Sequence, residues 1–185
     1  LEYAIDIKNV LDIYKIRREE IEGGIVSSVV PQITEIARLA AEKILRKKIL
    51  VLGPGTKTGL NILMDNPAAT GADLVADAVA AIAQYPVPCI VIDMGTATTV
   101  SVVDEKNHYI GGMILPGVGV SLDALTAGAA QLQGISLEAP KRIIGKNTVE
   151  CMKSGVIYSS AASLDGIVDR IEEELGQKAT VVATG

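Results

Sequence analysis

The chain has 185 residues, of which 49% are hydrophobic and 21% charged, and its mean hydropathy is +0.36. This composition excludes intrinsic disorder and supplies enough apolar material for one domain or two small ones. The net charge of -5 argues against nucleic acid as the main partner, although backbone N–H groups can bind an anionic ligand without basic side chains.

The first half of the chain alternates helical and β-branched segments. Helices are predicted over 1–20, 32–47 and 71–84, and strands over 25–30 and 49–52. Between the second strand and the third helix lies a glycine-rich loop, 53–59, which lacks the Gly-Lys-Ser/Thr spacing of a P-loop and is predicted to be a surface connector. The β-α-β-α order predicts parallel strands with helices packed against the sheet.

The pattern changes after Pro86, where three consecutive strands begin. These strands are predicted over 89–92, 99–103 and 109–115. A glycine-rich bend at 116–119 then leads into a helix that ends at about 132, followed by a helix over 147–175 and a final strand over 178–183. The first three are expected to be antiparallel neighbours, with a tight polar turn at 104–108. Asn147 and Glu150 have the spacing of a capping box at the start of the last helix.

Two cysteines, Cys89 and Cys151, stand far apart and in no metal-binding spacing. We expect two buried free thiols, as in a protein of the reducing cytoplasm. No segment reaches the roughly 18 continuous apolar residues that a membrane span requires, so we expect no membrane association.

The segment 93–99, Asp-Met-Gly-Thr-Ala-Thr-Thr, has the strongest chemical pattern in the chain. An Asp at the end of a buried strand can hold a cation, and the Gly brings backbone N–H groups close to a phosphate. The alternative is an ordinary Asp-Gly hairpin. Three Thr within four residues exceed what a hairpin needs, so the pattern favours a ligand site.

Asp73 stands in the first turn of the helix predicted over 71–84. The helix macrodipole favours a carboxylate there, so capping alone can explain it. The functional alternative is a general base that accepts the proton of a substrate hydroxyl attacking a γ-phosphate.

Two further patterns each have a structural and a functional interpretation. Gly111, Gly112 and Gly117 fit either close backbone packing or contact with a ligand. An apolar stripe on the last long helix fits either the core or a subunit interface. Its members are Val149, Met152, Val156, Ile167 and Ile171.

Taken in order, these segments resemble type III pantothenate kinase, a family of the acetate and sugar kinase, Hsp70 and actin superfamily. The matching stretches are SSVVP (27–31), GPGTKTGLN (53–61), DNP (65–67), GAD (71–73), DMGTATT (93–99), GG and PG (111–112 and 116–117), GKNT (145–148) and VVATG (181–185). The resemblance covers essentially the whole chain. It implies an α/β, ribonuclease H-like (actin-like ATPase) fold of two similar lobes, 1–86 and 87–185, with the first lobe incomplete.

The resemblance implies ATP-dependent phosphorylation of pantothenate to 4'-phosphopantothenate, the first step of coenzyme A biosynthesis. It makes Asp73 the catalytic base, places Thr96 against ATP, and gives Asp93 a monovalent cation, potassium or ammonium. Magnesium is expected with ATP. A homodimer is implied as well, because Thr148 would reach the pantothenate site of the partner subunit. The implied pantothenate-binding residues are Met64, Gly71, Ala72, Asp73, Leu74 and Thr148.

The sequence departs from the family pattern at two substrate contacts. Leu74 stands where the family has an Arg that pairs with the pantothenate carboxylate, and Met64 stands where it usually has Tyr. A hydrogen bond to a charged group contributes about 1.5–3 kcal/mol. Losing the Arg contact is therefore expected to weaken substrate binding about ten- to a hundredfold.

The resemblance also implies that the chain is a fragment. The family begins with a strand and an Asp-x-Gly-Asn-Thr turn that grips the ATP phosphates, and no such segment occurs here, nor does the family's C-terminal end. We therefore expect little turnover from the chain as it stands. Two alternatives are a non-catalytic regulatory or binding relative, and a kinase with a less anionic hydroxyl substrate.

Overall fold

The structure is a computed structural model that describes residues 2–128 and 134–185. The described chain separates into two units. The first comprises the described residues up to Leu60 together with Met64–Val79, and the second comprises Asn61–Leu63 and Ala80–Gly185. The lobe boundary at 86–87 stays a prediction.

The first part of the first unit contains two α-helices and a two-stranded sheet. Its elements are α1 (Glu2–Ile13), β1 (Gly24–Val26), α2 (Pro31–Leu45) and β2 (Ile49–Val51), with a 3-10 turn at Arg18–Glu20. The two strands pair in parallel, with Gly24 opposite Ile49, as the β-α-β order predicted. α2 packs against both strands, and α1 packs against α2.

Two elements of this unit are shorter than predicted. α1 ends at Ile13 because Lys15 adopts a left-handed conformation (φ +56°), and Ile16 N–H then donates to Leu11 O at 2.9 Å. β1 ends at Val26, and four residues later Val30 N–H donates to Ser28 Oγ at 3.1 Å. Such a local side-chain bond competes with strand pairing.

The second unit is built on a five-stranded mixed sheet, so the chain is of the α/β class. Its strands are β3 (Asn61–Ile62), β4 (Cys89–Met94), β5 (Ala97–Val103), β6 (His108–Pro116) and β7 (Thr180–Thr184), in the order β3-β6-β5-β4-β7. The meander β4-β5-β6 is antiparallel, as predicted, and β7 lies parallel to β4. The two-residue β3, which pairs with β6, was not predicted.

Three α-helices and a 3-10 turn complete the described elements: α3 (Ala72–Gln84), α4 (Val118–Gly128), α5 (Thr148–Leu175) and the turn at Pro67–Ala69. α3 begins in the first unit and continues into the second. The end predicted for α4, near residue 132, lies outside the described residues. No helix in the described ranges is long and apolar enough to cross a membrane.

The apolar stripe of α5 serves mainly the core of its own chain. Ile171 packs in a cluster with Ile90, Ile92, Val100 and Val102, and Ile167 packs against that cluster. Met152 and Val156 form a second cluster with Leu122, whereas Val149 is 43% exposed. Core packing therefore explains four of the five stripe residues.

Two local predictions are corrected by the structure. Asn147 Oδ1 accepts from Glu150 N–H at 2.9 Å, but the Glu150 carboxylate accepts from Lys141 N–H, so only half of the capping box forms. Cys89 is fully buried, and this burial raises the pKa of its thiol. The prediction of a second buried thiol was wrong, because Cys151 lies exposed in the first turn of α5.

Candidate functional site

The carboxylate of Asp93 lies at the end of β4 with a threonine beside it on each neighbouring strand. Asp93 is directly opposite Thr99 on antiparallel β5 and level with Thr184 on parallel β7. Residues paired in this way project to the same face of a sheet. The sheet therefore presents a carboxylate between two hydroxyl groups, and Asp93 itself is half-buried.

The turn between β4 and β5 is held by backbone contacts. Gly95 N–H donates to Ala97 O at 3.1 Å, and Gly117 N–H donates to Thr96 O at 3.0 Å. A Cβ at Gly117 would overlap the carbonyl oxygens of Gly95 and Thr96, so only glycine fits there. The start of α4 is thus fixed against the turn, while the side chain of Thr96 stays exposed.

Close packing also explains Gly112. A Cβ at Gly112 would overlap Val100 O on the paired strand β5. The packing interpretation of Gly112 and Gly117 is therefore sufficient without a ligand.

Two buried hydroxyl groups have no hydrogen-bond partner among the described residues: Thr99 Oγ1 and Thr70 Oγ1. Buried polar groups are nearly always paired, so an unpaired one requires an explanation. Thr99 closes the 93–99 segment, and Thr70 directly precedes Gly71-Ala72-Asp73. One unpaired oxygen thus lies within, and the other directly beside, a segment in which the sequence indicates chemistry.

The oxygens around Asp93 suit a hard cation. Hard cations take carboxylate, carbonyl and other oxygen ligands. The Asp93 carboxylate supplies charge, and the unpaired Thr99 Oγ1 on the adjacent strand is a further oxygen. The residues present therefore fit the cation that the resemblance implies.

The carboxylate of Asp73 is positioned by its own helix start in the first unit. Asp73 lies in the first turn of α3, and its Oδ1 accepts from Leu74 N–H at 2.9 Å. A Cβ at Gly71 would overlap Asp73 Oδ1, so the glycine leaves the space that this carboxylate occupies. A carboxylate side chain is a favoured residue type in the first turn of a helix, and it is also one of the side chains that can serve as a general base.

The predicted site residues are divided between the two units. Met64 (39% exposed), Gly71, Ala72, Asp73 and Leu74 belong to the first unit, where Leu74 is half-buried. Asp93, Thr96 and Thr148 belong to the second unit. Thr148 is the exposed first residue of α5, and Gly145 just before it packs against the backbone of Cys151.

His108 has a structural role in the polar turn after β5. Its backbone N–H and ring Nδ1 both lie within 3.0 Å of the Asp104 carboxylate, which also accepts from Lys106 N–H. Desolvation raises the pKa of Asp104, but the hydrogen bonds from His108 and Lys106 outweigh it and lower that pKa overall. These contacts account for the only histidine of the chain.

The family follows from comparison with known sequences. A sequence model of the type III pantothenate kinase family matches residues 1–170. The chain belongs to this family. Among curated type III pantothenate kinases, that of Exiguobacterium sp. is 45% identical over 184 residues, which cover 100% of this chain and 72% of the relative. That of Bacillus cytotoxicus is 46% identical over 184 residues, which cover 100% and 70%.

A solved structure is also similar. It is from Campylobacter jejuni, is described as a Baf family transcriptional activator, and has a TM-score of 0.49 and 19% identity. The match covers 84% of this chain and 68% of that one.

The sequence of this type III pantothenate kinase family member did not identify Thr99 or Thr70 individually as candidate site residues. Thr99 was visible only as the last of three threonines in the 93–99 segment. Thr70 carried no signal, because a single threonine before a glycine is common. What distinguishes both is an unpaired buried oxygen, which only the folded chain reveals.

We predict that Thr99→Val stabilises the protein in buffer free of alkali cations. Valine has nearly the same shape and removes an unpaired buried hydroxyl, so the free energy of unfolding should rise by about 1 kcal/mol. Denaturant unfolding measures this change.

Ser101→Ala is the matched control on the same strand. Ser101 Oγ lies 3.3 Å from Tyr109 Oη in a buried hydrogen bond, so its removal should lower the free energy of unfolding by about 1 kcal/mol. If Thr99→Val also destabilises the cation-free protein, Thr99 Oγ1 has a partner and the interpretation is wrong.

Proposed function

We propose that this chain phosphorylates the hydroxyl group of pantothenate with ATP, giving 4'-phosphopantothenate and ADP. The observation that carries the proposal is the identity of 45–46% to two type III pantothenate kinases across 100% of this chain. The reaction is the first step of coenzyme A biosynthesis, and the protein is a phosphotransferase.

Asp73 is the proposed catalytic base. Its carboxylate accepts the proton of the pantothenate hydroxyl while that oxygen forms a bond to the γ-phosphorus of ATP. The bond from the γ-phosphorus to the β–γ bridging oxygen breaks, and ADP leaves with its electron pair. The support is geometric: Gly71 leaves room for the carboxylate, and Leu74 N–H orients it.

Thr96, and the row formed by Asp93 with Thr99 and Thr184 on the neighbouring strands, are proposed to form part of the ATP site. The turn that carries Thr96 is fixed by Gly117, so its exposed hydroxyl can contact the nucleotide without rearrangement. Asp93 and Thr99 would hold a monovalent cation, potassium or ammonium, whose charge stabilises the phosphates when bound. Magnesium enters with ATP as the counter-ion of its phosphates, and the described residues contain no group of three or more His, Cys, Asp and Glu that could hold a metal.

We further propose a ribonuclease H-like fold and a homodimer. The meander β4-β5-β6 with parallel β7 beside β4 supports the fold. In the dimer Thr148 of one subunit reaches the pantothenate of the other, which its exposed position at the start of α5 supports.

We predict that Asp73→Asn lowers the kcat for pantothenate by about 10²- to 10⁴-fold, because the amide cannot accept the proton. ADP release measures the rate, and calorimetry measures pantothenate binding, which should change little. The assay uses the chain alone and a version extended by the family's N-terminal segment, with its strand and Asp-x-Gly-Asn-Thr turn, in the presence of magnesium and potassium.

Asp165→Asn is the control, because Asp165 is exposed on α5. It should leave the rate unchanged. If Asp73→Asn retains full turnover, Asp73 is not the base. If the extended parent protein binds pantothenate but never turns it over, the non-catalytic relative replaces the kinase.

Potassium should stabilise the parent protein by binding to Asp93 and Thr99. A bound ion raises the free energy of unfolding by RT ln(1 + [K⁺]/Kd). Titration with potassium chloride against choline chloride at equal ionic strength measures this effect. We expect it to vanish in Asp93→Asn and to shrink in Thr99→Val, and an unchanged effect in both variants would exclude the site.

Leu74 favours a second candidate function, phosphorylation of a less anionic hydroxyl compound. Leu74 is half-buried, its N–H is bonded to Asp73, and its side chain offers no charge to a substrate carboxylate. Met64 is apolar as well. Burial of a charged carboxylate without a partner costs free energy, and a neutral amide of pantothenate would avoid this cost on binding.

We predict that Leu74→Arg raises the affinity for pantothenate about ten- to a hundredfold and leaves that for the amide nearly unchanged. Leu74→Met is the control and should keep the parent preference. If the parent already prefers pantothenate over the amide, the second candidate is excluded.

A further inference from the structure

The first unit contains a cavity of about 600 Å³ whose lining includes none of the residues assigned to the candidate functional site. The C-terminal half of α1, the segment 15–19 and the C-terminal end of α2 form its walls. Its volume lies in the range of small-molecule sites, roughly 300–1,000 Å³. The lining residues are Lys8, Leu11, Asp12, Lys15, Ile16, Arg17, Arg18, Glu19, Lys43, Ile44 and Arg46.

The cavity is strongly basic within an acidic protein. It collects six of the 17 Lys and Arg residues but only two of the 22 Asp and Glu residues, a formal charge of +4 where the chain carries -5. Arg17 and Arg18 pair with Glu20 and Glu19. Within the described ranges, no ion pair forms at the other four cations, Lys8, Lys15, Lys43 and Arg46.

Two of these cations occupy backbone positions that usually belong to glycine or asparagine. Lys15 (φ +56°) follows the end of α1, and Arg46 (φ +55°) caps α2, so both are left-handed. A long cationic side chain gains nothing from this conformation, which glycine adopts without steric penalty. The charge itself is therefore the property that these positions supply to the cavity.

Neutralisation of the helix ends accounts for only part of this charge. Each helix C-terminus carries about half a negative charge, so the ends of α1 and α2 together offset about one positive charge. Glu20, which pairs with Arg17 but does not line the cavity, offsets one more, so about two positive charges remain for a ligand. Leu11, Ile16 and Ile44 add an aliphatic surface to the same cavity.

These features define the chemistry of the occupant. Lysine and arginine side chains recognise phosphate groups, and an aliphatic surface favours an apolar or ring-bearing part of the same molecule. We propose that this cavity binds a small organic diphosphate or polyphosphate, at a site separate from the residues assigned to phosphoryl transfer.

The test is an NMR titration of the uniformly ¹⁵N-labelled full chain with two probes, inorganic pyrophosphate and ADP. Both probes should shift the amide signals of residues 8–19 and 43–46. Affinities are taken from these signals alone, so that ADP bound elsewhere does not contribute. ADP should bind at least about threefold more tightly, because only its nucleoside contacts the aliphatic surface.

Charge reversal locates the site. Lys8→Glu with Lys43→Glu changes two exposed helix positions and should weaken both probes at least about tenfold. Lys48→Glu with Lys106→Glu removes the same charge at exposed positions outside the cavity and should weaken them less than about twofold. The milder pair Lys8→Gln with Lys43→Gln serves if the first variant does not fold.

Three results would overturn the proposal: no shift at the cavity amides, equal weakening by the cavity and control variants, or equal affinity for pyrophosphate and ADP. None of these measurements involves turnover. Failure of this inference therefore leaves the kinase proposal intact, and failure of the kinase proposal leaves this one intact.

Discussion

Strand β4 is hydrogen-bonded along both edges, to antiparallel β5 and to parallel β7, and its residues Cys89–Ile92 are buried. A central strand of this kind cannot shift by one residue without moving its apolar side chains to the wrong face. The register therefore fixes where the buried run ends. Asp93 is the first residue beyond it. The packing of the core therefore fixes the positions of Asp93 and of Thr99 and Thr184, which lie beside it on the neighbouring strands.

The sequence predicted the long elements well because their periods are visible over many residues. α2, α3, α5 and the meander begin and end within about two residues of the expected positions. The end of α1 was missed because Lys15 adopts the left-handed conformation after the helix, and no glycine at this position indicates it in the sequence. β3 was missed because two residues show no period, and Cys151 because its helix face depends on the packing of α5.

The candidate site was predictable where residue type and local order carry the chemistry. Asp73 and Asp93 could be singled out because each lies two residues from a glycine, at a predicted helix start and a predicted strand end, where a carboxylate can act as a base or hold a cation. Thr99 could not be recognised in this way, since the absence of a hydrogen-bond partner depends on neighbouring strands. The basic cavity could not be predicted either, because helix packing brings its two walls together.

The contrast between the two cysteines gives the molecule a built-in attachment point for a spectroscopic label. Cys89 is shielded in the central strand, whereas Cys151 is accessible and lies one helical turn from Thr148. A thiol-reactive spin label would therefore attach beside Thr148 without any substitution. In a homodimer, two such labels would report the separation of the α5 helix starts directly, with and without substrate.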